Sequence, residues 1–158
     1  MTTTEEAIQL GIQAGLQSLS AFNGVSVVIN DWGVLDQSSA LAPYVIISDA
    51  DDFDARKDTA ATQTRWTIPL ELCERFTDWK ETLGNFRTRR QAIIDQFNVA
   101  AIPPALRSAG GIDGLTIDRV YSGGPIAAYY DRYLTAAQMA EALPIFLRQT
   151  ILLECQEF

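Results

Sequence analysis

The chain contains no histidine, and that one absence removes most of the chemistry a protein of this size could perform. Histidine is the commonest general base, proton shuttle and metal ligand, so a Ser-His-Asp triad, a Cys-His pair and the usual zinc sites cannot be assembled from these residues alone. Cysteine is scarce as well: Cys73 and Cys155 allow at most one bridge and sit in no CxxC spacing. They are expected to be reduced packing residues, and Cys73 lacks the neighbouring base that a nucleophile needs. No G-x-x-x-x-G-K-[ST] or G-x-G-x-x-G phosphate loop occurs. The close glycine pairs, Gly110-Gly111 and Gly123-Gly124, lack a strand-to-helix setting and read as turns. No run approaches the roughly 20 apolar residues of a membrane-spanning helix. The start of the chain, through Glu5 and Glu6, has no basic region followed by an apolar stretch, so export by a secretory leader is not expected.

Positive charge is in short supply. Twelve basic residues stand against 20 acidic ones, a formal net charge of -8. Affinity for nucleic acid comes largely from Lys and Arg displacing condensed counterions, so tight phosphate binding is disfavoured. A wall past which DNA slides is a different matter, because like charge there prevents sticking, within a screening length of roughly 8 Å. The 47% hydrophobic content is enough for a substantial core over 158 residues.

What is present alternates between two periods. Thr3 and Glu6 have the spacing of a capping box, and Ile8, Ile12, Gly15, Leu16, Leu19 and Phe22 then share one side of a helical wheel, predicting a helix over 4–21 that ends near Asn23-Gly24. Glu6, Gln9, Gln13 and Gln17 fill another sector. That helix is expected to pack on a sheet rather than to bind a partner. Short strands are predicted over 25–29 and 44–47. From Arg65 to Leu72 the even residues Trp66, Ile68, Leu70 and Leu72 are apolar, the signature of a strand with one covered face. Pro69 lies inside it and favours an edge or a bulge. Asp78 and Glu81 cap a second helix that gathers Trp79, Leu83, Phe86, Ile93, Ile94 and Phe97 on one face, with Arg90 near the middle of that face. The stem of Arg90 is expected to pack while its guanidinium reaches a carboxylate on the adjoining sheet; an intersubunit ion pair is the alternative. Arg87 and Arg89 have no acidic residue three or four positions away, so their partners must come from elsewhere. A strand over 115–121 is broken by Gly123-Gly124-Pro125, a short helix is expected over 136–142, and a strand over 145–158 closes the chain.

Between the second and third strands lies a stretch with almost nothing apolar to bury. Residues 49–62 include Asp49, Asp51, Asp52, Asp54, Arg56, Lys57 and Asp58. That is long for a hairpin turn, and the expectation is a projecting charged arm, mobile until a neighbouring chain orders it. The aspartates superficially suggest a calcium loop, but Phe53 occupies a ligand position, the turn glycine is missing and no bidentate Glu follows. With 20 acidic residues some carboxylate pair will always look suggestive, and none falls on a recognisable cleft. No catalytic, cofactor-binding or metal-binding residue is therefore assigned, and no enzymatic activity or cofactor is expected. The interface candidates are Asp49, Asp51, Asp52, Asp54, Arg56, Lys57, Asp58, Arg87, Arg89 and Arg90.

The order of these elements, with the segments 42–47, 65–70, 78–83 and 90–95, resembles the tail terminator, or tail completion, proteins of long-tailed bacteriophages, and the likeness runs nearly the whole length of the chain. The resemblance implies one α+β domain over 1–158: a mixed, mainly antiparallel sheet with two main helices packed on it and a long charged arm between two strands. It further implies a structural virion protein, assembled in the bacterial cytoplasm. As a hexameric ring it would cap the head-proximal end of the tail tube, stop tube polymerisation and meet the head-tail connector or stopper. Genome DNA would pass through the bore without sequence-specific binding, and no membrane would be involved. A head-side neck adaptor or stopper would share the composition. A metal-dependent hydrolase using Asp and Glu is the reading from a different class.

Overall fold

The computed structural model describes residues 3–31, 43–57, 62–97, 115–130, 135 and 142–157. Helix α1 (Thr4–Gln17) starts where expected, with the Glu6 amide donating to Thr3 Oγ1 and the Thr3 amide donating to Glu6 Oε2 at 2.7 Å. The Thr3 amide, and the Thr3 hydroxyl that also donates to Glu6 Oε2, hold the Glu6 carboxyl below its ordinary pKa. The helix ends four residues earlier than its apolar spacing suggested. A 3-10 turn over Ser20–Phe22 follows, and Gly24 at φ +77° redirects the chain into β1 (Ser26–Ile29). Strand β2 (Tyr44–Ile47) pairs parallel to β1 and antiparallel to β4 (Thr62–Arg75). Helix α2 (Trp79–Phe97) precedes β5 (Leu115–Ser122), β6 (Ala127–Tyr129) and β7 (Phe146–Glu157). The predicted helix over 136–142 falls almost wholly outside the described residues.

Among the described residues the sheet runs in the order β1-β2-β4-β7-β5, with only the β1–β2 pair parallel. This is the mixed, mainly antiparallel α+β architecture that the sequence indicates. At its centre, β4 and β7 pair from Thr64↔Glu157 to Arg75↔Phe146. One face of strands β2, β4 and β7 is apolar: Val45 and Ile47, Ile68, Leu70 and Leu72, Ile151, Leu153 and Cys155 form one core with Ile8, Ile12 and Leu16 of α1 and Phe86, Ile93 and Phe97 of α2. Burying that stripe is what fixes register, since a slip of one residue would turn every one of these side chains to the opposite face. Tyr44, Ile46 and Cys73 form a smaller cluster on the other face.

The charged stretch after β2 is not a structureless arm. Residues Asp52–Lys57 form a strand, β3, antiparallel to the first part of β4 from Asp52↔Thr67 to Lys57↔Thr62. The β3–β4 pair is therefore a hairpin that extends the line of β2, and Asp58 lies outside the described residues. Between Ile47↔Leu70 and Asp52↔Thr67, residues 48–51 oppose only Ile68 and Pro69, which is a bulge. Pro69 sits at this break. Its carbonyl accepts from the Ser48 amide at 3.0 Å, so the side on which proline lacks an N–H is the side where the ladder is already interrupted. Of the two settings that Pro69 favoured, the structure takes the bulge, inside a central strand.

The far side of β7 repeats this plan. Both β5 and β6 pair with it, one after the other, separated by the predicted Gly123-Gly124-Pro125 break. Gly123 is required there by close approach, since a Cβ would stand 2.9 Å from Thr150 Cγ2.

Candidate interaction surface

The root of the β3–β4 hairpin is tied to two other elements. Asn30, which follows β1 at φ 54°, donates from Nδ2 to Asp49 Oδ1 at 2.8 Å and accepts the Asp49 amide at 3.0 Å. Asparagine tolerates this left-handed conformation better than most residues. From α1, Gln9 donates to the same Asp49 oxygen at 3.1 Å and to the Ser48 carbonyl at 2.9 Å, while Glu5 Oε1 accepts the Ala50 amide at 2.6 Å. Gln9 is buried, and Gln13 donates to the Val27 carbonyl at 2.9 Å, so part of the polar sector of α1 fastens strand ends. Asp49 is thus an anchor within its own chain. Like Asp51, Asp54 and Arg87 among the interface candidates, it is exposed.

Beyond this anchor β3 outruns its cover. Asp51, Phe53, Asp54 and Ala55 are all exposed, on both faces of the ribbon, with Phe53 65% exposed although its ring meets Trp66 at 5.8 Å. Asp52, Arg56 and Lys57 occupy register positions in the same strand. Next to it the sheet face opposite the helices is polar. Arg65 lies 3.6 Å from both Asp118 and Glu154, Arg148 lies 3.4 Å from Glu71, and Thr150 donates to Glu71 at 2.7 Å. Arg119 stacks over the Tyr121 ring at 3.9 Å. A shallow depression of about 240 Å³ is lined there by Phe53, Asp54, Arg65, Thr67, Tyr121 and Glu154. Charges of both signs are interleaved and already matched across strands, so this face offers no concentrated field to a small anion or cation.

The arginines of α2 separate in the same way. Arg89 forms an ion pair with Glu74 of β4, whose Oε1 also accepts from Asn85 at 3.1 Å. Burial draws the Arg89 pKa below its ordinary value. Arg90, half-buried, donates to Gln149 Oε1 at 3.3 Å, and Gln149 donates onward to the Gly124 carbonyl at 3.2 Å. The sheet partner of Arg90 in the structure is thus a neutral amide; the carboxylate went to Arg89. At the start of the helix Asp78 Oδ1 accepts the Glu81 amide at 2.7 Å, but Glu81 turns to the Thr77 hydroxyl at 3.2 Å and leaves the capping box half-formed. Trp79, expected on the buried face, is 47% exposed and meets Phe76 edge-on at 5.0 Å.

Because Gln149 is neutral, the aliphatic stem of Arg90 carries much of its effect. Arg90→Met and Arg90→Ala both leave the buried Gln149 oxygen short of a donor, which costs about 1–3 kcal/mol. The alanine variant should lose about 1–2 kcal/mol more, at roughly 0.8 kcal/mol for each buried methylene. Thermal melts of the two variants give the difference, and equal losses would assign the role to the charge.

Among the described residues no group of three or more Cys, Asp or Glu could hold a metal ion. Both cysteines are free and buried, and burial raises Cys73 to about 11 and Cys155 to about 12, which keeps them protonated thiols at neutral pH. No protein-family model matches this chain, and no curated protein matches it.

Proposed function

We propose that the protein is a structural component of a phage tail that caps the head-proximal end of the tail tube as a hexameric ring, stops its polymerisation and joins it to the head-tail connector or stopper. The observation that carries this reading is the β3–β4 hairpin. Its edge strand β3 is exposed on both faces and is tied at its root by Asp49, Asn30 and Gln9. An end cap has to match the growing surface of a polymer without offering that surface again, and an edge strand whose outer side nothing described covers is suited to such a contact. The alternating charges of the neighbouring face suit a polar, wet joint between proteins. The net charge of -8 is compatible with a bore through which DNA passes without adhering. In this reading the protein works without catalytic turnover and without a cofactor.

The test is where the protein binds. Tail tubes incubated with gold-labelled protein should carry label at one end only, as seen by electron microscopy. Label along the tube wall would refute the proposal, and binding to the isolated head connector but never to tubes would transfer the protein to the head side of the neck.

A further inference from the structure

The hairpin has one edge that nothing described in this chain covers. The Thr67 carbonyl accepts from the Asp51 amide at 2.9 Å and the Pro69 carbonyl from the Ser48 amide, so the odd-numbered residues in this part of β4 turn their main-chain groups toward β3. With the register Asp52↔Thr67, Asp54↔Arg65 and Arg56↔Gln63, it is Asp52, Asp54 and Arg56 that bond to β4, while Phe53, Ala55 and Lys57 turn their N–H and C=O groups outward. Strand β1 pairs with β2 only as far as Ile29↔Ile47, so the space alongside β3 lies beyond its end. Among the described residues no strand pairs with this outer side.

The order of charges along the edge names an occupant. Asp52 and Asp54 come first, Arg56 and Lys57 last. A strand with acid at one end and base at the other is complementary to itself only when a second copy runs antiparallel. We propose that in the free protein the outer edge of β3 pairs antiparallel with the same edge of a second copy, about a two-fold axis at Ala55. That register sets Ala55 opposite Ala55, Phe53 opposite Lys57, and Asp54 opposite Arg56 on both sides of the axis. Directly opposite residues share a sheet face, so this register places residues of opposite charge at facing positions across the joint. Moving the axis to Asp54 would oppose two aspartates, moving it to Phe53 would oppose Asp52 to Asp54, and moving it to Arg56 would oppose two arginines. Three outward residues on each strand supply about six main-chain hydrogen bonds. Such a contact belongs to the weak, concentration-dependent class that buries less than about 1,200 Å².

An isologous contact satisfies itself and leaves no edge for a third copy. The pair therefore shields β3 from indiscriminate strand addition and must open before the hairpin can serve in a ring or on a tube. This inference does not depend on the tail-end reading, because it is scored on the isolated protein with no tubes present.

The test is a single cysteine on the axis. Oxidised Ala55→Cys should run as a dimer, and nothing larger, on a denaturing gel without reductant, since the native Cys73 and Cys155 are buried. Asp51→Cys is the control: eight residues separate its two copies along the strands, about 27 Å at 3.4 Å per residue, and it should stay monomeric. Ala55→Pro removes an outward N–H without touching a β3–β4 bond. In sedimentation at high concentration it should have half the mass of the parent protein, with an unchanged far-ultraviolet circular dichroism spectrum. A monomeric Ala55→Cys, equal cross-linking of both cysteine variants, or an Ala55→Pro protein with the parent's mass would overturn the proposal.

Discussion

Arg89→Met should destabilise the protein by about 3–5 kcal/mol, the loss typical when one partner of a buried ion pair is removed and the other charge is left behind. The Arg89 and Glu74 side chains are 16% and 11% exposed, so water does little to screen or replace the bond. Glu74 would keep the Asn85 amide as a donor and lose its only described cation. At about 2–4 °C per kcal/mol for a chain of this size, the melting temperature should fall by about 6–20 °C. Replacing both partners, with Glu74→Leu added to Arg89→Met, should recover most of the loss, because an apolar pair of similar volume removes the stranded carboxylate together with its desolvation cost. A single variant that melts within a degree of the parent would show that the pair holds nothing; a double variant no better than the single would show that packing, not charge, is what Arg89 supplies.

Ile12→Ala should cost about 2–5 kcal/mol, combining lost transfer energy with the cavity left behind. Ile12 is fully buried, between α1 and the sheet, in the core that also holds Ile8, Leu16 and Val45. Leu10, two residues away on the same helix, is 40% exposed, and Leu10→Ala should change stability by no more than about 0.5 kcal/mol. The contrast separates the two roles considered for α1. A helix that serves the core loses stability at Ile12 and not at Leu10, whereas a helix reserved for a partner would tolerate both changes in the isolated protein. Chemical denaturation of the two variants measures this directly, and an equal, small effect at both positions would contradict the packing described.

The elements that could be read in the sequence are those whose burial is one-sided. In β4 and β7 one face is covered by helices, so Trp66, Ile68, Leu70 and Leu72, and Leu147, Ile151, Leu153 and Cys155, announce themselves by period two. Strand β3 has exposed residues on both faces, so Asp52 to Lys57 show no apolar alternation, and only the continuation of β4 back to Thr62 makes them a strand. Strand β6 is three residues long and owes its state to β7. The helical wheel placed Arg90 on the inward side of α2, but its partner lies 59 positions away and is an amide; no local pattern encodes that choice. The anchoring role of Asp49 was not legible because Gln9 and Asn30, 40 and 19 positions away, reach it only in the folded chain. The one local hint was Asn30 beside Asp31, a pair that suits the end of a strand. The structure puts a paired strand, β3, where a loose arm was expected, and the proposed function is argued from that hairpin together with the resemblance of element order.

The most direct measurement of the central claim is the growth of tail tubes at increasing amounts of this protein. Tube subunits polymerising alone should give overlong tubes without a defined stopping point. Adding the protein at far less than one copy per tube subunit should arrest elongation, with the effect saturating once each growing end carries one ring, because only ends are occupied. Arrest that needs one copy for every tube subunit, or tube lengths that do not change at any ratio, would contradict it.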